Sequence, residues 1–227
     1  MKSVNSVHLE GIVESCRVIG EVMGKTAAKL SVITLHPKEQ SVGADISMQE
    51  YEKIRHNVRV VADGSHVDLL RSLETELKTE RATGLKELIT MHPCIVEGVL
   101  REQNGENFVE ARDGGFSLSD TLKTKGNNLA KIVGKVLAVT YTDRSCRLEL
   151  ETPQGKLQSF FPRQINRNSW DAVASGKIAK GDLLSLQGPL MNMEFSDGTQ
   201  TISTSMVVPH VIQKIRLRKA QSNVVSI

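Results

Sequence analysis

Two stretches of this chain share an arrangement that few folds accommodate. Each is an apolar, β-branched run with a glycine in its middle, followed by a strand of two-residue alternation. The first is Val7-His8-Leu9-Glu10-Gly11-Ile12-Val13 and the second is Ile132-Val133-Gly134-Lys135-Val136-Leu137. A glycine inside a strand weakens it and marks a bulge or a sharp bend. A small barrel needs such a bend, because its first strand must serve two sheets. The alternating strands that follow are Lys29 to Leu35 and Cys146 to Leu150.

The repeat continues. A third strand is expected at Val58 to Val61 and again at Leu157 to Phe161. A helix follows each. In the first copy Ser65 can cap it, with Asp68 three residues on, and Val67, Leu70, Leu73 and Leu77 supply a buried stripe. In the second copy a shorter helix is expected to begin at Trp170 and end near Gly181. Each copy then has a glycine-bearing strand, Ile95 to Leu100 and Leu184 to Leu190. The last strands are Phe108 to Ala111 and Thr201 to Val208, each after a turn of the Asn-Gly or Asp-Gly type that hairpins favour. Strand, strand, strand, helix, strand, strand, twice over, is the order of an OB barrel. The expected fold is therefore mostly β: two tandem five-stranded OB-fold barrels, each with a helix between strands three and four. Two unrelated α+β domains are the alternative. The expected boundaries are residues 1–112, a linker at 113–128 rich in Gly and Asn, residues 129–215, and a basic, polar tail at 216–227.

Charge is unevenly divided. Residues 1–118 hold 14 Lys and Arg against 18 Asp and Glu, and residues 119–227 hold 15 against 8. The basic half also has five of the eight aromatic residues, Tyr141, Phe160, Phe161, Trp170 and Phe195. A basic domain enriched in aromatics has the composition of a nucleic-acid surface; a solvated basic face over an ordinary core has the same composition. No apolar run approaches the roughly 18 residues of a membrane span, and the N-terminal residues lack the apolar stretch of a secretory signal. Three cysteines without a C-x-x-C pair fit a reducing cytoplasm rather than a disulfide framework.

At this point the residues resemble the bacterial single-stranded DNA-binding protein family. Val4-Asn5-Ser6-Val7-His8-Leu9-Glu10-Gly11 resembles that family's V-N-x-V-x-L-x-G opening. Val173-Ala174-Ser175 and Lys180-Gly181-Asp182 resemble its helix and the turn after it, and Leu186-Gln187-Gly188-Pro189-Leu190 its V-x-G-x-L strand. The resemblance implies an OB fold and base stacking on aromatic side chains of the sheet face and of the hairpin between strands four and five. In the second copy it places Phe161 and Phe195 at two such positions. In the first copy the third-strand position aligns with Asp63, and the hairpin Arg101 to Asn107 has no aromatic. The family's acidic, phenylalanine-tipped tail is not matched by Ile215 to Lys219, which is basic.

A protein meets single-stranded DNA with cations along a groove and rings as stacking platforms. Phe160 and Phe161 are adjacent and must face opposite sides of their strand; the resemblance puts Phe161 on the open face. Phe195 sits at a hairpin tip, where it either stacks on a base or latches against the barrel or a subunit. Candidate phosphate ligands are Lys131, Lys135, Arg144, Arg147, Arg163, Arg167 and Lys177. Trp170 reads as core or as a base contact. Gly20 to Thr26 mimics a phosphate loop but has one residue too few between its glycines and is followed by a strand. The histidines show no metal-ligand spacing, and no catalytic constellation is visible. The expectation is a non-enzymatic protein, without metal or cofactor, that binds single-stranded DNA, or RNA, mainly through its second domain. The alternative is an OB interaction scaffold for replication or transfer proteins. Self-association is expected from open strand edges.

Overall fold

The computed structural model describes residues 5–22, 24–37, 51–83, 92–121, 127–164, 166–196 and 201–215. The first copy contains β1 (Asn5–Val22), β2 (Lys25–Pro37), β3 (Tyr51–Ala62), α1 (Ser65–Thr83), β4 (Pro93–Gln103) and β5 (Glu106–Leu118). The second contains β6 (Asn128–Tyr141), β7 (Ser145–Thr152), β8 (Gly155–Pro162), α2 (Arg167–Ala174), β9 (Leu183–Gly188), β10 (Leu190–Ser196), β11 (Thr201–Val207) and β12 (Val211–Lys214).

In each copy the strands close into a ring, an OB-fold barrel. In the first, β1 pairs with β2, β2 with β3, β3 with β5, β5 with β4, and β4 returns to β1. The closing β3–β5 contact is parallel and short, through Val58 and Val109. In the second, Ser159 and Val207 make the equivalent parallel contact between β8 and β11. Two prolines separate the copies in detail. Pro189 divides β9 from β10 and Pro209 divides β11 from β12, where the first copy has the unbroken β4 and β5. Proline has no N–H to donate and interrupts a ladder.

Several boundaries differ from expectation; α2 ends at Ala174 rather than near Gly181, and β3 begins at Tyr51 rather than Val58. β5 does not stop before Asp113; it continues to Leu118, pairing Phe116 with Val96 and Leu118 with Cys94. Phe116 is buried, and burying that ring holds the strand through the glycines, so the connection to β6 is only residues 119–127. Helix α2 starts at Arg167, where the Asn166 side chain accepts a hydrogen bond from the Ser169 N–H at 3.2 Å. Helix α1 begins at Ser65 itself, so Ser65 is its first residue and not its cap.

The marker glycines are demanded by close approach. A Cβ on Gly11 would lie 2.3 Å from the Ile33 carbonyl oxygen, and one on Gly188 2.1 Å from that of Val208. Strand β1 pairs with β4 up to Ile12 and with β2 from Ile12 onward. It bends there, with a bulge between Val13 and Ser15. Strand β6 has the matching bulge between Val136 and Ala138. The barrel cores are the inward residues of these strands, including Leu9, Leu30, Val58 and Leu100 in the first and Ile132, Leu148, Leu157 and Leu186 in the second. Leu70, Leu73 and Leu77 of α1 join the first core.

The barrels share one sheet. β1 and β6 pair antiparallel, Asn5 opposite Ile132 and Asn128 opposite Leu9, with Val7 facing Ala130 at the centre. That register maps onto itself when the copies are exchanged, so a half-turn relates the barrels. Beside the seam, two asparagines at equivalent places each clamp a neighbouring strand of their own barrel. Asn5 Nδ2 donates to the Leu100 carbonyl at 2.9 Å, and its Oδ1 accepts from the Leu100 N–H at 3.1 Å. Asn128 does the same with Leu190, at 2.7 and 2.9 Å. Asn107 Nδ2 donates to the Ser205 carbonyl across the seam at 2.9 Å.

Candidate nucleic-acid interface

The strand register lays out the outer face of each barrel row by row. In the second barrel the rows across β6, β7 and β8 are Thr140–Arg147–Phe160, Ala138–Glu149–Gln158 and Lys135–Glu151–Lys156. In the first, across β1, β2 and β3, the equivalent first two rows are Arg17–Lys29–Arg59 and Ser15–Ser31–Asn57. Each set alternates with buried residues, Cys16, Leu30 and Val58 in one barrel and Cys146, Leu148 and Phe161 in the other, so the rows face outward.

Phe161 is therefore a correction: it is completely buried, opposite Cys146, and Phe160 is the ring on the open face. Inward parity on β8 is fixed by Leu157 and Ser159, and Phe161 shares it. The register also replaces the alignment with Asp63: Val60 of β3 stands where Phe161 stands, and Arg59 where Phe160 stands. Phe195 lies in β10, its backbone paired with Ile202, and its side chain is outside the described residues.

Arg144, Arg147 and Arg163 gather around Phe160. Arg144, Phe160 and Arg163 line one shallow cleft, and the Arg163 N–H donates to the Arg144 carbonyl at 2.8 Å. Arg147 sits beside Phe160 and donates to Gln158. The Arg163 guanidinium carbon is 4.2 Å from the Trp170 ring centre. Trp170 is half-buried; its Nε1 donates to the Thr142 carbonyl at 2.9 Å, and exposed Tyr141 meets it edge-on at 6.1 Å. Lys135 is exposed in the third row, opposite Glu151. The other cations lie elsewhere. Lys131 is exposed near the seam, in register with Ser6. Arg167 is 3.9 Å from Asp171 one turn along α2. Lys177 lies past α2, its carbonyl accepting from Lys214 Nζ.

The first barrel holds residues that sequence reasoning missed. Arg17, Lys29 and Arg59 form a row of three cations; in the next row the Glu14 carboxylate, bulged beside Ser15, accepts from the Ser31 hydroxyl at 3.0 Å and pairs with Arg55. The Arg59 guanidinium carbon lies over Phe108, 4.3 Å from the ring centre, with Nη1 donating to Gln103 Oε1 at 3.0 Å. This stack is a ridge between two clefts. One contains Lys29, Asn57 and Glu106; the other contains Lys25 and Arg101. Arg101 is engaged by Glu110. Asp63 and Asp113 hold the ammonium of Lys25 and raise its pKa. The signal was available: Arg17, Lys29 and Arg59 each occupy an outward phase of a two-residue alternation.

The face offers rings and cations. Among the described residues no group of His, Cys, Asp and Glu forms a metal cluster. The three thiols are buried, and burial pushes Cys16 up to about 11 and Cys94 and Cys146 up to about 12, far from the thiolate range of a nucleophile. No helix among the described residues is long and apolar enough to cross a membrane.

The comparisons with known proteins agree at the level of fold. The wild-type single-stranded DNA-binding protein from Thermus aquaticus is similar over 98% of this chain and 98% of its own, with a TM-score of 0.63 and 17% identity. A deletion mutant of the same protein covers 97% and 98%, with a TM-score of 0.65 and 16% identity. At such identities the likeness establishes a shared tandem OB architecture. No family model matches the chain, and no curated protein matches it in sequence.

Proposed function

We propose that this protein binds single-stranded DNA without catalysis, the strand lying across the outer faces of both barrels. The observation that carries this reading is the pair of equivalent rows, Arg17–Lys29–Arg59 and Thr140–Arg147–Phe160, on two barrels fastened at one seam. Rings and guanidinium planes stack on base faces, which every sequence shares, so binding is sequence-tolerant. The cations neutralise phosphates and make affinity fall with salt. The full-coverage likeness to single-stranded DNA-binding structures supports the same reading.

Sequence composition assigns most of the binding to the second domain. The rows support a more even division. The second barrel's face interleaves Glu149 and Glu151 with its cations, and the first barrel's has Glu14, already paired with Arg55, beside an unbroken row of three cations. The test is a titration of fluorescently labelled oligo-dT, followed by anisotropy at two salt concentrations, with Trp170 emission as a reporter of the second barrel. Micromolar or tighter binding that weakens steeply with salt is the expected result. Absence of binding at low salt overturns the proposal.

A further inference from the structure

We propose that Arg59 is the base-stacking platform of the first barrel, a guanidinium plane standing where the second barrel has the Phe160 ring. The inference rests on the single-stranded DNA reading above and assigns a specific contact within it.

Four observations converge. Strand register makes the two residues equivalent: Arg59 follows Val58 of the parallel closing pair, and Phe160 follows Ser159 of the other. Each is flanked on the central strand by a cation, Lys29 or Arg147. The guanidinium is already held in place, since its carbon lies over Phe108, 4.3 Å from the ring centre, and Gln103 fixes one edge. An arginine held on an aromatic ring has lost most of its rotamer freedom before a ligand arrives, and its outer face is a cationic surface for a nucleobase. Finally, Arg59 makes no ion pair with a carboxylate among the described residues, and its Nε is without a hydrogen-bond partner. Its charge is not spent on holding the fold. The clefts on either side, with Lys29 in one and Lys25 and Arg101 in the other, leave room for the sugar-phosphate chain to pass over the ridge.

Stacking and charge can be separated because lysine keeps the charge and lacks the plane. The experiment compares full-length wild type, Arg59→Lys and Arg59→Phe on two probes: oligo-dT and an abasic deoxyribose-phosphate oligomer of equal length. Arg59 is half-exposed, and circular dichroism with thermal melting confirms that the variants are folded. For Arg59→Lys the expected result is a loss of roughly 5- to 100-fold on oligo-dT with no loss on the abasic probe. Arg59→Phe should stay within a few-fold of wild type on oligo-dT, with a salt slope smaller by about one. Wild-type affinity for oligo-dT in Arg59→Lys overturns the inference, as does an equal loss on both probes, which would mark a phosphate contact. A loss in Arg59→Phe as large as in Arg59→Lys also overturns it. If the wild type fails to bind oligo-dT, it is the functional reading that falls; if the wild type binds and the lysine variant matches it, this assignment alone falls.

Discussion

His56 shows what a single substitution between the two copies does. It is fully buried on β3, at the position that Leu157 occupies on β8. Its Nε2 is 2.8 Å from the Thr34 hydroxyl, and its Nδ1 has no hydrogen-bond partner. Burial lowers its pKa from 6.5 to about 4. The unfolded chain therefore takes up a proton near pH 6.5, while the native protein resists it down to about pH 4. Stability is full above that window and is lost as pH falls through it, by on the order of 3 kcal/mol. The melting temperature should fall between pH 7 and pH 5, and the fall should shrink in His56→Leu, which copies the second barrel. A wild-type melting temperature that does not change over this range would refute the assignment. The residue scale is also where sequence reading stops short. Adjacent Phe160 and Phe161 are chemically identical, so only the phase of the whole strand tells which is outside. That phase is set by Leu157 and Ser159, and Ser159 gives no apolar signal even though it is fully buried.

At the scale of elements, the order of strands and the marker glycines were legible because they follow from local chemistry: alternation, turn residues and a backbone too close for a Cβ. Element ends were less so. Phe116 extends β5 through two glycines by a tertiary burial that local propensity does not register, and Pro189 and Pro209 split strands that are continuous in the other copy. The asparagine clamps were present in the sequence only as the polar starts of β1 and β6. Asn5 is buried, and its side chain satisfies both backbone groups of Leu100. Replacing Asn5 with alanine leaves those groups without partners, at a cost of about 1–3 kcal/mol. Asn128→Ala should cost a similar amount at Leu190. Denaturant unfolding of each variant measures this; a change within a few tenths of a kcal/mol for both would mean the clamps contribute nothing.

For the molecule as a whole, net charge by halves was a poor guide to where cations face. The first half is acidic, yet several of its carboxylates are on α1, as with Asp68, Glu74 and Glu76, while Arg17, Lys29 and Arg59 fall together on one row. Composition averages over faces, and only the register separates them. The continuous sheet through β1 and β6, with the polar fastenings beside it, couples the barrels mechanically. Unfolding should therefore be a single calorimetric transition, with calorimetric and van't Hoff enthalpies in agreement; two resolved transitions would show that the seam does not couple them. Exchange symmetry about the Val7–Ala130 pair also dictates a route. If both barrels grip a polynucleotide in the same 5′-to-3′ sense, its heading along the shared sheet on one is reversed on the other. A continuous strand then doubles back between them, and its two ends leave toward the same side of the protein.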